Sequence, residues 1–364
     1  MIDSHAFERL RHIGLTPAVI QELLALSPVC CEPELMRVTE VQRDALTLHD
    51  GQHALMARAL PGLLQTLSAA ADALAVGDWV FAQRNDHGQW WVAQRVPPLT
   101  QIARRLHDGR DKVARVVIVA NVDTALLVMG LDLDFSLRRL ERYLALARLA
   151  GVDAVVVLTK ADLCPDTAAR EAEVQASLPA GAAVVAVDAT HVSARAALAP
   201  WLGVGHSVVL LGSSGAGKST LTNTLTGADT QPTGGTRSGD GRGRHTTTSR
   251  SLHVALDGGC IIDTPGLRTL RLDSDVEAIE RSFDDIARLA PHCRFRDCRH
   301  EAEPGCAVRE GVARERLQSF QKLLRESRRD GMSALQRKER LQVWKARSRA
   351  SRARLADKRG EQSG

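Results

Sequence analysis

The 364-residue sequence predicts a multidomain protein: a small N-terminal β-barrel, a central α/β domain and a C-terminal helical domain. Three observations predict it. Short β-like runs with Asx and Gly turns fill residues 36–98. Continuous Val/Leu runs separated by helical stretches begin at Val113, the pattern of a sheet covered by helices on both faces. After Ser274 the chain reads as helix, interrupted by a Cys/His cluster. The expected divisions are 1–35 (N-terminal extension), 36–112 (barrel), 113–273 (α/β domain), 274–330 (Cys/His domain) and 331–364 (basic tail).

Each element has its own signal. The first 35 residues read as short helical segments with a Pro stop. DWVFAQ (78–83), the turn Asn85-Asp86-His87-Gly88 and QWWVAQRV (89–96) read as a hairpin. Trp90 and Trp91 fall on opposite faces of their strand, so one is core while the other could stack on a base. Strands are expected at 116–120, 125–129, 154–158, 183–187 and 207–211. Residues 136–150 form a helix with Leu137, Leu140, Tyr143, Leu144 and Ala147 on one face. SLHVAL and CIIDT make a hairpin that turns at Asp257-Gly258-Gly259.

Composition narrows the class. Hydrophobic residues are 44% and charged residues 25%, as in ordinary soluble proteins. The N-terminus lacks the apolar core of a secretory signal. No apolar run approaches the ~18 residues of a membrane span. A cytoplasmic protein without membrane contact, monomeric, is expected. The net charge is +5, but residues 325–364 carry 13 Lys/Arg against 5 Asp/Glu. Such a tail marks either nucleic-acid contact or a solvated, frayed helix. Seven cysteines, three of them clustered, favour metal over disulfides in a cytosolic chain.

Gly212-Ser213-Ser214-Gly215-Ala216-Gly217-Lys218-Ser219 fits GxxxxGK(S/T), after a strand and before the helical TLTNTL that Thr220 opens. Glycines let backbone N–H groups close on a phosphate without Cβ clashes, and the helix N-terminus adds positive dipole. Lys218 should bridge β- and γ-phosphates and Ser219 should ligate Mg²⁺. Thr159-Lys160-Ala161-Asp162 then chooses the base, resembling the NKxD motif of GTPases. Asp162 would accept from guanine N1–H and the exocyclic amine, which adenine does not offer, while Lys160 would pack along the ring. Thr159 stands where the motif has Asn, which should loosen the tie to the phosphate loop. Val187-Asp188-Ala189 sits where GTPases carry the SA(K) turn, matching in position rather than residue type.

Asp263-Thr264-Pro265-Gly266 ends a strand and matches DxxG: Asp263 for Mg²⁺ through water, the Gly266 N–H for the γ-phosphate. Leu267 follows, where many GTPases place a water-orienting Gln. Residues 234–250, with five glycines and four arginines, cannot pack a core, and their composition predicts a mobile switch loop. Thr246 and Thr247 are its candidates for the switch threonine that completes Mg²⁺ coordination, Thr247 preferred. His245, directly before them, is the candidate to position the attacking water in place of the missing Gln, or else a phosphate or RNA contact. The motif order is permuted. TKAD and the SA-like turn precede the phosphate loop, threonines and DxxG, as if the same sheet were opened at another loop.

Cys293, Cys298, His300 and Cys306 form C-x4-C-x-H-x5-C, a closed tetrahedral donor set for one structural Zn²⁺. Cys30, Cys31, Cys164 and Cys260 show no such grouping and read as core or free thiols.

The chain resembles the ribosome small-subunit-dependent GTPase A family, the RsgA/YjeQ-type circularly permuted GTPases. The likeness rests on Gly77-Asp78-Trp79-Val80, Ala120-Asn121-Val122-Asp123, GSSGAGKST, Gly241-Arg242-Gly243-Arg244-His245-Thr246-Thr247, DTPG and CRFRDCRHEAEPGC. The resemblance implies an OB-fold barrel, a circularly permuted GTPase domain and a C-terminal zinc domain. It also implies binding of the 30S subunit and its 16S rRNA, a role in late 30S maturation, and GTP hydrolysis stimulated by the subunit, with His245 as the water-positioning group. Two other classes stay open on the residues alone. One is a GTPase serving another RNA or a metal-delivery target. The other is an RNA-binding protein with a vestigial nucleotide site, which Thr159, Asp188 and Leu267 would suit.

Overall fold

The computed structural model describes residues 4–27, 33–107, 113–178, 182–228, 250–265, 276, 279–280 and 283–330. Five strands close the N-terminal barrel: β1 (Glu34–Val41), β2 (Leu46–His49), β3 (Ala54–Ala59), β4 (Trp79–Arg84) and β5 (Trp90–Arg95). Their order is β1-β2-β3-β5-β4, and β4 returns to pair with β1, so the barrel has no free edge. The helix α3 (Pro61–Ala69) lies between β3 and β4, completing an OB-type barrel. Met36, Val38, Leu48, Val80, Trp90 and Val92 fill it. The β4–β5 hairpin forms as the sequence predicts, with Asn85 Oδ1 accepting the His87 and Gln89 N–H groups in the turn. Trp90 is the core member of the Trp pair, and Trp91 is half-buried.

Ahead of the barrel, α1 (Ser4–Arg11) and α2 (Pro17–Leu24) form a short helical pair; Pro17 opens α2 and the Thr16 hydroxyl accepts the Val19 N–H. Leu10, Ile13, Leu15 and Val19 are buried together with Val76, Trp79 and Ile262, so this segment supplies core to both neighbours.

The central sheet contains β8 (Thr124–Gly130), β9 (Asp153–Thr159), β10 (Ala183–Ala186), β11 (Ser207–Gly212), β12 (Ser251–Val254) and β13 (Cys260–Asp263). The order is β10-β9-β8-β11-β13-β12, parallel throughout except for β12. Helices α4 (Leu137–Leu149), α5 (Thr167–Ser177), α6 (Ser193–Leu198) and α7 (Lys218–Thr226) connect its strands. Every position of β8 is buried, which explains its unbroken apolar run. One expectation fails: the run at 116–120 belongs to β7 (Val113–Ala120), which does not join this sheet. It pairs antiparallel with β6 (Gln101–His107) in a separate ribbon. Apolar periodicity predicts the strand, but its partner is set by tertiary contacts.

Two features weld barrel to central sheet. β1 pairs with β12 at Glu40 and Ser251, making one continuous eleven-stranded sheet. Arg37 of β1 is fully buried and donates to Ile13 O, Gly77 O (3.3 Å), Ser207 Oγ (2.8 Å) and Asn121 O (2.8 Å). Gly14 (φ 91°) makes this possible, because a Cβ there would come within 1.9 Å of an Arg37 nitrogen. Burial lowers the pKa of this guanidinium, while Cys260, Asp123 and Asp78 act to hold its charge.

At the other end, α8 (Asp284–Leu289), α9 (Ala307–Gly311) and α10 (Arg314–Asp330) form the C-terminal domain. It docks on α4. Arg316 makes two bonds to Asp285 (2.6 and 2.7 Å) and approaches Glu141 of α4 at 3.8 Å, and Arg142 of α4 pairs with Glu326 at 2.8 Å.

Candidate functional site

The nucleotide motifs converge at the carboxyl ends of β9, β11 and β13, where ligands bind in open α/β sheets. Gly212 ends β11 so close to β8 that a Cβ would stand 2.4 Å from Val128 O. Gly217 adopts φ 92°, and the loop Gly212–Gly217 runs straight into the N-terminus of α7. Lys218 is buried beneath it, donating to Gly212 O (3.1 Å) and Ser213 O (2.7 Å). Burial pushes its ammonium down to about 8, against the pull of the Asp263 and Asp134 carboxylates. Ser219 and Thr220 open the helix behind it.

Asp263 lies on β13 in register with Leu210 of β11. Burial raises its carboxyl pKa, while Lys218, the Thr264 N–H and the Ser219 hydroxyl act in the other direction. Among the described residues neither carboxylate oxygen has a hydrogen-bond partner of full geometry. A buried carboxylate with spare lone pairs beside a serine hydroxyl suits a hard divalent cation such as Mg²⁺, which GTPases use.

The segment 159–162, expected from its sequence to read the base, packs against this loop. Thr159 ends β9 fully buried, and its hydroxyl donates to Ala216 O at 2.6 Å. A Cβ on Gly217 would stand 3.2 Å from the same hydroxyl, so the glycine leaves it room. The loosening expected from Thr in place of Asn is therefore not found, because Thr makes the tie itself. Lys160 adopts φ 62°, and its ammonium donates to Gly215 O (2.8 Å) and Asp132 Oδ2 (2.5 Å). Asp162 follows in a single helical turn, Ala161–Leu163, with its side chain exposed. The SA-like turn is adjacent: Ala161 N–H donates to Val187 O, and Thr224 of α7 donates to Ala189 O at 2.6 Å. The Asp188 carboxylate is occupied locally, accepting the Thr190 N–H and hydroxyl, which hold its pKa down.

Two residues escaped the sequence reading. Asp132 and Asp134 lie in the β8–α4 connection; Asp134 accepts from Ser213 Oγ and pairs with Arg139 at 2.9 Å. The available signal was position, since acidic residues directly follow a fully buried parallel strand. His245, Thr246, Thr247, Gly266 and Leu267, with the rest of the expected switch loop up to residue 249, lie outside the described residues, as does the tail 331–364.

In the C-terminal domain the donor atoms of Cys293, Cys298, His300 and Cys306 all lie within 4.8 Å of one another. Cys293 Sγ is 3.8 Å from Cys306 Sγ, and His300 Nδ1 is 3.6 and 3.4 Å from these two sulfurs. A tetrahedron with Zn–S arms of about 2.3 Å has edges of about 3.8 Å, so the group can hold zinc. His300 takes φ 58°, and α10 secures that turn through Gln321 Nε2 donating to His300 O at 2.7 Å. Glu303 accepts the Arg299, Glu301 and Ala302 N–H groups, which draw its pKa down to about 2 and shape the loop between ligands.

An OB-type barrel, a P-loop domain whose TKAD-bearing strand precedes its phosphate loop, and a Cys3His group define a circularly permuted GTPase. Residues 100–273 match the family model described as RsgA GTPase. The chain is 45% identical over 258 residues to small ribosomal subunit biogenesis GTPase RsgA 2 of Vibrio vulnificus, covering 72% of that protein and 70% of its own length. It is 44% identical to the RsgA of Xylella fastidiosa, covering 82% of that protein and 78% of its own length. In fold it is similar to YjeQ from Thermotoga maritima (TM-score 0.58, 23% identity, 81% of this chain and 98% of that one). It is likewise similar to YloQ, a circularly permuted GTPase (TM-score 0.57, 22% identity, 84% and 99%). The chain belongs to the RsgA GTPase family.

Proposed function

We propose that this GTPase acts in biogenesis of the small ribosomal subunit, binding the 30S particle and its 16S rRNA as a cytoplasmic monomer and hydrolysing GTP in response. The observation that carries the reading is the convergence of permuted motifs on one sheet edge in a chain covering most of relatives named small ribosomal subunit biogenesis GTPase. Among the described residues no helix is long and apolar enough to cross a membrane.

In this reading Gly212, Ser213, Ser214, Gly215, Ala216, Gly217, Lys218, Ser219 and Thr220 enclose the phosphates. Thr159, Lys160, Asp162, Val187, Asp188 and Ala189 frame guanine. Ser219 and Thr247 ligate Mg²⁺, with Asp263 acting through water and the Gly266 N–H facing the γ-phosphate. His245 positions the attacking water, because Leu267 has no polar group to do so. The Mg²⁺ neutralises charge on the phosphates; the protein's part is to cradle and orient them.

The test is GTP turnover with and without 30S subunits. Stimulation by the subunit is expected, and its absence would remove the ribosomal reading. His245→Ala should keep GTP affinity and 30S binding while losing most stimulated turnover. Loss of 30S binding with an intact basal rate would make the histidine an RNA contact instead.

A further inference from the structure

We infer that Asp132, which no motif includes, is a positioning residue for base selectivity: it fixes Lys160, and through Lys160 the turn that aims Asp162 at guanine. The inference rests on the guanine-site reading above and deepens it.

The starting point is the backbone of Lys160. A φ of 62° is a left-handed conformation that a residue with a Cβ adopts at a cost, and it persists where surrounding contacts over-determine it. Two acceptors hold the Lys160 side chain, Gly215 O from the phosphate loop and Asp132 Oδ2 from the β8–α4 connection. The ammonium thus joins three loops at one point. The ammonium makes both bonds charge-assisted, but only Asp132 adds an opposite charge, so that anchor is an ion pair at 2.5 Å.

Asp132 is itself held in place. Its Oδ1 accepts the Asp134 N–H at 3.0 Å, and its carbonyl accepts the Phe135 N–H at 3.0 Å. Just upstream, Leu131 N–H donates to Thr159 O at 2.9 Å, so the same short loop grips the residue preceding Lys160. Backbone and side chain therefore fasten both sides of the turn that leads to Asp162. Gly130 is part of the arrangement: a Cβ there would stand 2.7 Å from Asp132 Oδ1 and 3.5 Å from Lys160 Cδ. Burial works against the Asp132 charge, yet the Lys160 bond and the Asp134 N–H hold its pKa below the usual carboxylate value.

There is also a reason the acid needs this partner. A carboxylate at the mouth of a polyphosphate site repels the ligand unless a cation neutralises it, and Lys160 does so. Asp134 is treated in the same way, pairing with Arg139 while accepting from Ser213. The GLDLDF segment thus places two neutralised carboxylates, one on the base-reading loop and one on the phosphate loop, and sets the register between them.

The test compares GDP with IDP, which lacks the exocyclic amine read by Asp162, in binding titrations of the full chain. The parent should prefer GDP, and Asp162→Asn should abolish the preference. Asp132→Asn is nearly isosteric at a side chain 40% exposed, so melting temperature and zinc content should not change. It should weaken GDP by about tenfold, the worth of a hydrogen bond to a charged group, and IDP much less, so that the ratio narrows. Asp132→Glu should restore part of the ratio, and Asp132→Asn should add nothing in an Asp162→Asn background. Equal weakening of GDP and IDP, an unchanged ratio, or additivity with Asp162→Asn would overturn the inference. A parent without preference for GDP would instead strike the guanine-site reading itself.

Discussion

The hydroxyl of Thr159, at the end of β9, donates to the carbonyl of Ala216 in the phosphate loop at 2.6 Å, with the Thr159 side chain fully buried. The bond joins the TKAD segment, proposed to read the base, to the phosphate loop. Thr159→Val keeps the shape and removes the donor, leaving a buried carbonyl unpaired at a cost of about 1–3 kcal/mol. Both melting temperature and GDP affinity should fall. A variant that binds GDP like the parent would show that the tie has no role in the site.

Lys218 predicts a pH dependence. Burial pushes its ammonium down to about 8, with Asp263 and Asp134 opposing. A bound polyphosphate favours the charged form, so the pKa rises on binding. Between the free and bound values binding takes up a proton, and affinity falls as pH rises above 8, by up to about tenfold per unit. Calorimetric GDP titrations at pH 7 and 9 in buffers of different ionisation enthalpy measure both effects. Affinity independent of pH with no proton uptake would contradict the assignment.

The barrel carries a second titration. Burial raises the Asp78 carboxyl to about 7, with Arg95 and the Ala75 N–H opposing, and its Oδ1 has no partner among the described residues. The unfolded chain ionises near pH 4, so between about pH 4 and 7 the folded state holds the extra proton. Stability contributed by this group is therefore present at low pH and lost as pH rises through 7. Asp78→Asn removes the ionisation and keeps the Ala75 bond. Relative to the parent it should gain up to roughly 4 kcal/mol between pH 4 and 8 in urea unfolding. An unchanged difference across that range would mean that Asp78 is not the titrating group.

Zinc removal should act locally. Three cysteines and His300 can hold one ion, and the loop between them has little apolar core of its own. Purified protein should contain one zinc per chain, and a strong chelator should expose Cys293, Cys298 and Cys306 to alkylation together. Full alkylation without metal release would rule the site out.

What the sequence made legible was local. The phosphate loop, TKAD, DxxG and the Cys3His set each carry their chemistry in a few neighbouring residues, and their permuted order predicts the sheet. Contacts between distant segments were not legible. Thr159 departs from its motif yet bonds Ala216, 57 residues away in sequence. Asp132 and Asp134 look like ordinary loop acids until the fold brings Lys160 and Ser213 to them. The 116–120 run reads as a strand in either neighbourhood, and only packing gives it to β6.

The weld between β1 and β12 bears on how the molecule can be dissected. β12 is the outermost strand of the central sheet, and the barrel covers its edge at Ser251. Cutting away the first hundred residues would expose a strand edge ready to pair with other chains, and would strip the apolar surface that α1, α2 and Trp79 cover. It would also remove Arg37, leaving the Asn121 carbonyl and the Ser207 hydroxyl without their donor. A GTPase fragment beginning after residue 100 is thus a poor candidate for soluble expression, whatever the completeness of its nucleotide motifs.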